Sequence, residues 1–174
     1  MQKIISTCLV FFLLTQAFGQ KKITTCLSVD YNKTISDVTI GNNPSGIGLG
    51  LQTFFNTKTK FKPTIELTAD TYLEDDKVFR INADGTPMND VRGMVNLFAG
   101  TSFFPVKNVF LSFVAGPSFI SGQTLLGIKP SLGFYFSKTK RWTVKVSYIN
   151  IFDRDKVTMK DFGSLNFAIG LKLF

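Results

Sequence analysis

Residues 61–73 read FKPTIELTADTYL, and the order of those side chains decides the fold. Phe61, Pro63, Ile65, Leu67, Ala69, Thr71 and Leu73 fall on one face at a period of two. Lys62, Thr64, Glu66, Thr68, Asp70 and Tyr72 fall on the other. An alternation sustained over this length predicts a β-strand whose two faces meet different surroundings.

The same alternation recurs on both sides of this stretch. Upstream, Ile47, Leu49, Leu51, Thr53 and Phe55 oppose Gly46, Gly48, Gly50, Gln52 and Phe54, and a weaker first strand sets Ile23, Leu27, Val29 and Tyr31 against Cys26, Ser28, Asp30 and Asn32. Downstream, Val95 to Phe103 and Val109 to Phe119 repeat the pattern. Leu126 to Phe136, Trp142 to Tyr148 and Ser164 to Leu173 complete a set of eight. No segment after residue 20 carries a helical period. The connections alternate in length. Short ones (56–60, 105–108 and 138–141) alternate with generally longer ones such as 74–92 and 153–163, and 121–124 is the exception, short where a long loop is due. Short turns on one side and long loops on the other is the arrangement of a transmembrane barrel.

Alternation alone does not say which face is dry, and a soluble lipocalin-like barrel would hide its apolar face inside. Here the polar face is rich in Gly, Ser and Thr and poor in long charged side chains, which suits a narrow lumen better than a wet surface. The apolar face carries no charge along the strands as read, as lipid contact requires. Phe55, Phe61, Phe103, Phe134, Phe136 and Trp142 bunch beside the short turns, and Tyr31, Phe119 and Tyr148 lie towards the long loops. Such bunching predicts two aromatic girdles at the headgroup levels. The expected fold is therefore all-β: a closed, up-and-down, antiparallel transmembrane barrel of eight strands.

Residues 1–19 are expected to be a signal peptide. Lys3 supplies the positive start, Ile4 to Leu14 is a mostly apolar run too short to span a bilayer, and Ala17-Phe18-Gly19 offers small residues at a cleavage site. Residues 20–174 then form one domain. Losing Lys3 takes the formal charge from +8 to +7. Cys26 is the single cysteine left, which excludes an intramolecular disulfide.

Together with the ending Gly170-Leu171-Lys172-Leu173-Phe174, this pattern resembles the small eight-stranded outer-membrane barrels, the OmpA membrane domain and the OmpX-like proteins. The resemblance covers nearly all of residues 22–174 as architecture. It implies location in the outer membrane, contact with outer-membrane lipid, and a C-terminal strand signal read by the barrel-assembly machinery, carried here by Gly170, Leu171 and Phe174. Phe174 matches in identity but falls on the face opposite to Ile169, Leu171 and Leu173.

The chain has no histidine, the residue to which general-base work near neutral pH most often falls. The barrel enzymes that the resemblance brings to mind use a catalytic histidine. No enzyme, cofactor or metal site is therefore expected. The charged residues on inward faces are Asp30, Glu66, Asp70, Lys129 and Lys145, read as a charge network filling the lumen, because buried charges need partners and eight strands leave room only for side chains. Asp30, Asp70 and Lys129 are expected at similar heights, with Glu66 and Lys145 nearer the short turns. Lys58, Lys60, Lys62, Lys107, Lys138, Lys140 and Arg141 crowd the short turns. Without a stacking platform they read as a solvated or headgroup-facing rim, not a nucleic-acid site. The functional expectation is a non-enzymatic barrel with a structural or surface-interaction role through its long loops, 74–92 above all. The alternatives are a narrow channel and a soluble barrel holding an apolar ligand.

Overall fold

A strand with one apolar and one polar face must pair both of its edges before it can lie in an apolar medium. The chain meets this requirement by closing its sheet. The computed structural model describes residues 23–36, 43–73, 93–120, 122–136, 141–155 and 160–173, the side chains of Asp155 and Lys160 excepted. The segment expected to be a signal peptide, the long loop 74–92, the turn residues Lys138 and Lys140, and Phe174 lie outside the described residues. Eight strands follow one another: β1 (Ile23–Ser36), β2 (Ser45–Phe55), β3 (Phe61–Leu73), β4 (Gly93–Val106), β5 (Val109–Ile120), β6 (Gln123–Tyr135), β7 (Trp142–Asp155) and β8 (Lys160–Lys172). Each pairs antiparallel with its neighbours in sequence, and β1 closes on β8 through Cys26↔Lys172 to Ser36↔Gly163. Strands of 11 to 14 residues meet or exceed the ~9–11 that a tilted strand needs to cross a bilayer.

The alternation read from the sequence is the alternation observed. In β3, Thr64, Glu66, Thr68, Asp70 and Tyr72 are buried while Phe61, Ile65, Leu67 and Leu73 are exposed. The apolar residues thus face out, with Val29 63% and Leu49 58% exposed. Among the described strand residues, charge outside the lumen lies at the long-loop rim, at Lys33, Asp153 and Asp161. Both aromatic girdles face outward. Phe61 packs on Phe103 at 4.9 Å and Phe134 on Phe136 at 6.3 Å beside the short turns.

Several strand boundaries differ from the sequence reading. β7 runs on to Asp155 and β8 starts at Lys160, so most of 153–163 is a continued hairpin and not a loop. The register shifts between Ile151 and Asp155, and Asp153 takes a φ of 53°. Asp is among the residues that tolerate this left-handed region, and a bulge there breaks the period of two that betrays a strand. At the other end, β4 continues to Val106 across a shift between Phe103 and Val106. In the unusually short connection after β5, Gly122 takes a φ of 75°, the positive φ that tight hairpins favour.

The lumen is layered. Near the short turns Phe54, Phe104, Phe110 and Tyr135 stack edge to face or tilted, at 5.2 to 5.8 Å, with Cys26 against the Tyr135 hydroxyl. Near the long loops Tyr72, Met94, Ile120, Ile149, Ile151 and Phe162 form a second apolar layer. Polar and charged side chains lie between the two. Small residues make the space: a Cβ on Gly133 would strike the Phe110 ring, and one on Gly48 would strike the Asp70 carboxylate.

Candidate functional site in the barrel lumen

The polar belt is assembled from every wall of the barrel. Lumen-facing positions on β3, β6 and β7 bring Glu66, Lys129 and Lys145 to one point. Lys129 Nζ lies 2.6 Å and Lys145 Nζ 2.8 Å from the same oxygen, Glu66 Oε1. Lys145 also reaches Gln52 Oε1 at 3.4 Å. Glu66 and Lys129 are 0% exposed and Lys145 4%. Three charges withdrawn from water in this way are held in place by one another, since each would be costly alone.

The two aspartates are satisfied differently. Asp30 and Asp70 both pair with Gly48 of β2, one from each side. Asn32 donates to Asp70 Oδ1 at 2.6 Å, and Thr68 and Asn96 donate to Oδ2 at 3.2 and 3.4 Å. Asn166 in turn donates to Asn32 Oδ1 at 2.8 Å, which ties β8 to β1 and β3. Ser28 donates to Asp30 Oδ1 at 2.7 Å. Among the described residues neither aspartate forms an ion pair with a lysine in the lumen. Lys129 meets Glu66 instead of standing apart from it: the pairing ladder runs from Lys129 through Val114 and Gly100 to Thr64, two residues from Glu66, and not to Asp70.

Sequence reading singled out the five charged residues and missed the amides. Asn32, Asn96 and Asn166 are each 0% exposed and complete the network. Their inward phase was visible, but neutral residues do not announce themselves as charges do. The apolar layers were missed too. Phe54, Phe110, Tyr72 and Tyr135 stood on the lumen face of the pattern, and their positions at opposite strand ends were the available signal.

This arrangement holds charge still and leaves little room for a substrate. The space beside Lys145 and Gln52 is about 10 Å³, enough for about one water. Of the expected assembly residues, Gly170 faces the lumen between Thr143 and Ser28, and Leu171 faces outward opposite Trp142.

Comparison with solved structures agrees with this geometry. The crystal structure of Ail, the attachment invasion locus protein of Yersinia pestis, superposes with a TM-score of 0.55 at 12% identity, covering 87% of this chain and 98% of that one. Ail in a phospholipid bilayer nanodisc gives 0.56 at 14% identity, covering 86% and 99%. The fold is that of a small outer-membrane barrel. A de novo designed transmembrane β-barrel gives 0.50 at 7% identity, covering 86% and 95%. That a designed chain shares the architecture shows how far closure and alternation alone specify it. No family model matches the chain, and no curated protein matches it.

Proposed function

We propose that the chain is a non-enzymatic outer-membrane protein, a rigid barrel whose long loops make contacts at the cell surface. The observation that carries this reading is the filled lumen between a lipophilic exterior and two apolar layers. With the walls facing lipid and the interior occupied by its own side chains, the ends of the barrel are where chemistry with other molecules can happen. The absence of histidine from the sequence and the lack of room beside Glu66 support a non-catalytic role. Insertion by the barrel-assembly machinery, with Gly170, Leu171 and Phe174 as part of the strand signal, belongs to the same proposal, as does removal of residues 1–19.

Ail has been solved in complex with the heparin analogue sucrose octasulfate. The long loop of this chain does not suit such a polyanion. Between Glu74 and Arg92 it holds Glu74, Asp75, Asp76, Asp84 and Asp90 against Lys77, Arg80 and Arg92, a net charge of −2. A partner of that loop is expected to be neutral or basic.

The test replaces residues 75–91 with a short Gly-Ser linker. Cells displaying the variant should carry as much membrane-inserted barrel as wild type and should attach less well to other cells or to coated surfaces. Equal attachment would remove the loop from the proposed role. The channel alternative is tested on the same preparations, which should be silent in planar bilayers; stepwise conductance would favour it.

A further inference from the structure

The short-turn end of the barrel opens on a cavity of about 560 Å³ that the lumen network does not use. Its size falls within the ~300–1,000 Å³ of small-molecule sites. Its floor is the apolar layer described above: Phe54, Phe104 and Tyr135 line it, and beneath them Phe110 seals the lumen. The cavity is therefore a blind vestibule and not the mouth of a pore.

Four lysines stand around this apolar floor. Lys60, Lys62, Lys107 and Lys172 line the cavity, and among the described residues no aspartate or glutamate does. Glu66, the acid nearest in sequence to these turns, is already held by Lys129 and Lys145. Lys62 is half-buried, with its Nζ 2.8 Å from Asn56 Oδ1 and 4.2 Å above the centre of the Phe104 ring. An ammonium seated against an aromatic face, with no carboxylate beside it among the described residues, keeps donor capacity for an anion. The Thr57 and Thr59 hydroxyls complete a polar rim above the rings.

We propose that this vestibule is a binding site for a small amphiphilic anion, a phosphate or carboxylate carried on a flat or short apolar body. The anionic group would sit among the lysines, and the apolar body would cover Phe54, Phe104 and Tyr135. Such chemistry can come from a free solute or from the head of an anionic lipid at the barrel rim.

Phenyl phosphate serves as the probe, titrated calorimetrically into the folded full-length protein in phosphatidylcholine nanodiscs. Saturable one-to-one binding is expected, with inorganic phosphate weaker by about tenfold because it leaves the rings uncovered. Lys62→Met with Lys172→Met should weaken phenyl phosphate by about tenfold or more, and Phe104→Ala by a smaller factor. Should the first pair fail to fold, Lys60→Met with Lys107→Met on the exposed turns provides the same test. Nanodiscs doped with phosphatidylglycerol distinguish the sources: a raised apparent Kd identifies a lipid headgroup as the occupant, an unchanged one a free solute, and either supports the site. Absence of saturable binding, equal affinity for inorganic phosphate, or unchanged affinity in the lysine variants would overturn the proposal.

Discussion

Glu66→Gln is expected to cost about 3–5 kcal/mol of unfolding free energy, the largest loss from any single lumen substitution. Glutamine keeps the shape of the side chain and removes its charge. Lys129 and Lys145 both depend on Glu66 Oε1, at 2.6 and 2.8 Å. The change therefore strands two buried ammoniums at once. Lys129→Met should cost less, because Glu66 then retains Lys145, while still lowering the melting temperature. The double variant should lose less than the sum of the two single losses, since removing Lys129 relieves a charge that Glu66→Gln has left unpaired. Urea titration of protein refolded into lipid vesicles gives all three values. Additive losses, or an unchanged Lys129→Met, would mean that the three residues do not act as one unit.

Leu67→Arg is expected to cost about 2–4 kcal/mol in the same assay, although Leu67 touches nothing in the lumen. Leu67 stands at the middle of β3, outward and 43% exposed. A charge there meets the hydrocarbon midplane. The same substitution at Leu73 or Phe61, at the two ends of the strand, should cost only ~0–1 kcal/mol, because the guanidinium can reach the headgroups. This gradient along a single strand separates a membrane barrel from a soluble one. On a soluble barrel an exposed Leu67→Arg would be nearly neutral, and the cost would not depend on height.

How much of this was legible in the sequence depended on whether a feature was periodic. The eight strands, their facing and the aromatic girdles follow from a period of two, and β3 could be read residue by residue. Where the period breaks, the reading broke as well. The bulge at Asp153 hid the upper parts of β7 and β8, and with them Ile149, Ile151 and Phe162 of the apolar layer. The five lumen charges were legible as inward-facing residues, but their partners were not. Strand tilt and long side chains, which alternation does not encode, bring Lys129 of β6 onto Glu66 of β3. The amide chain from Asn166 through Asn32 to Asp70 needs three strands in register, which is a property of the closed sheet and not of any one segment. The lysine-rich turns were seen as a rim; that three of those lysines, with Lys172 of β8, enclose a cavity with aromatic walls appears only once the turns lie side by side.

The central claim is that this chain is a closed barrel resident in an outer membrane. Its most direct test is the electrophoretic mobility of the protein extracted with detergent from a washed outer-membrane fraction, run unheated and after boiling. The account predicts recovery in that fraction and a folded band that shifts to the position of the unfolded chain only on heating. Recovery in the soluble fraction without detergent, or a single band indifferent to boiling, would contradict it.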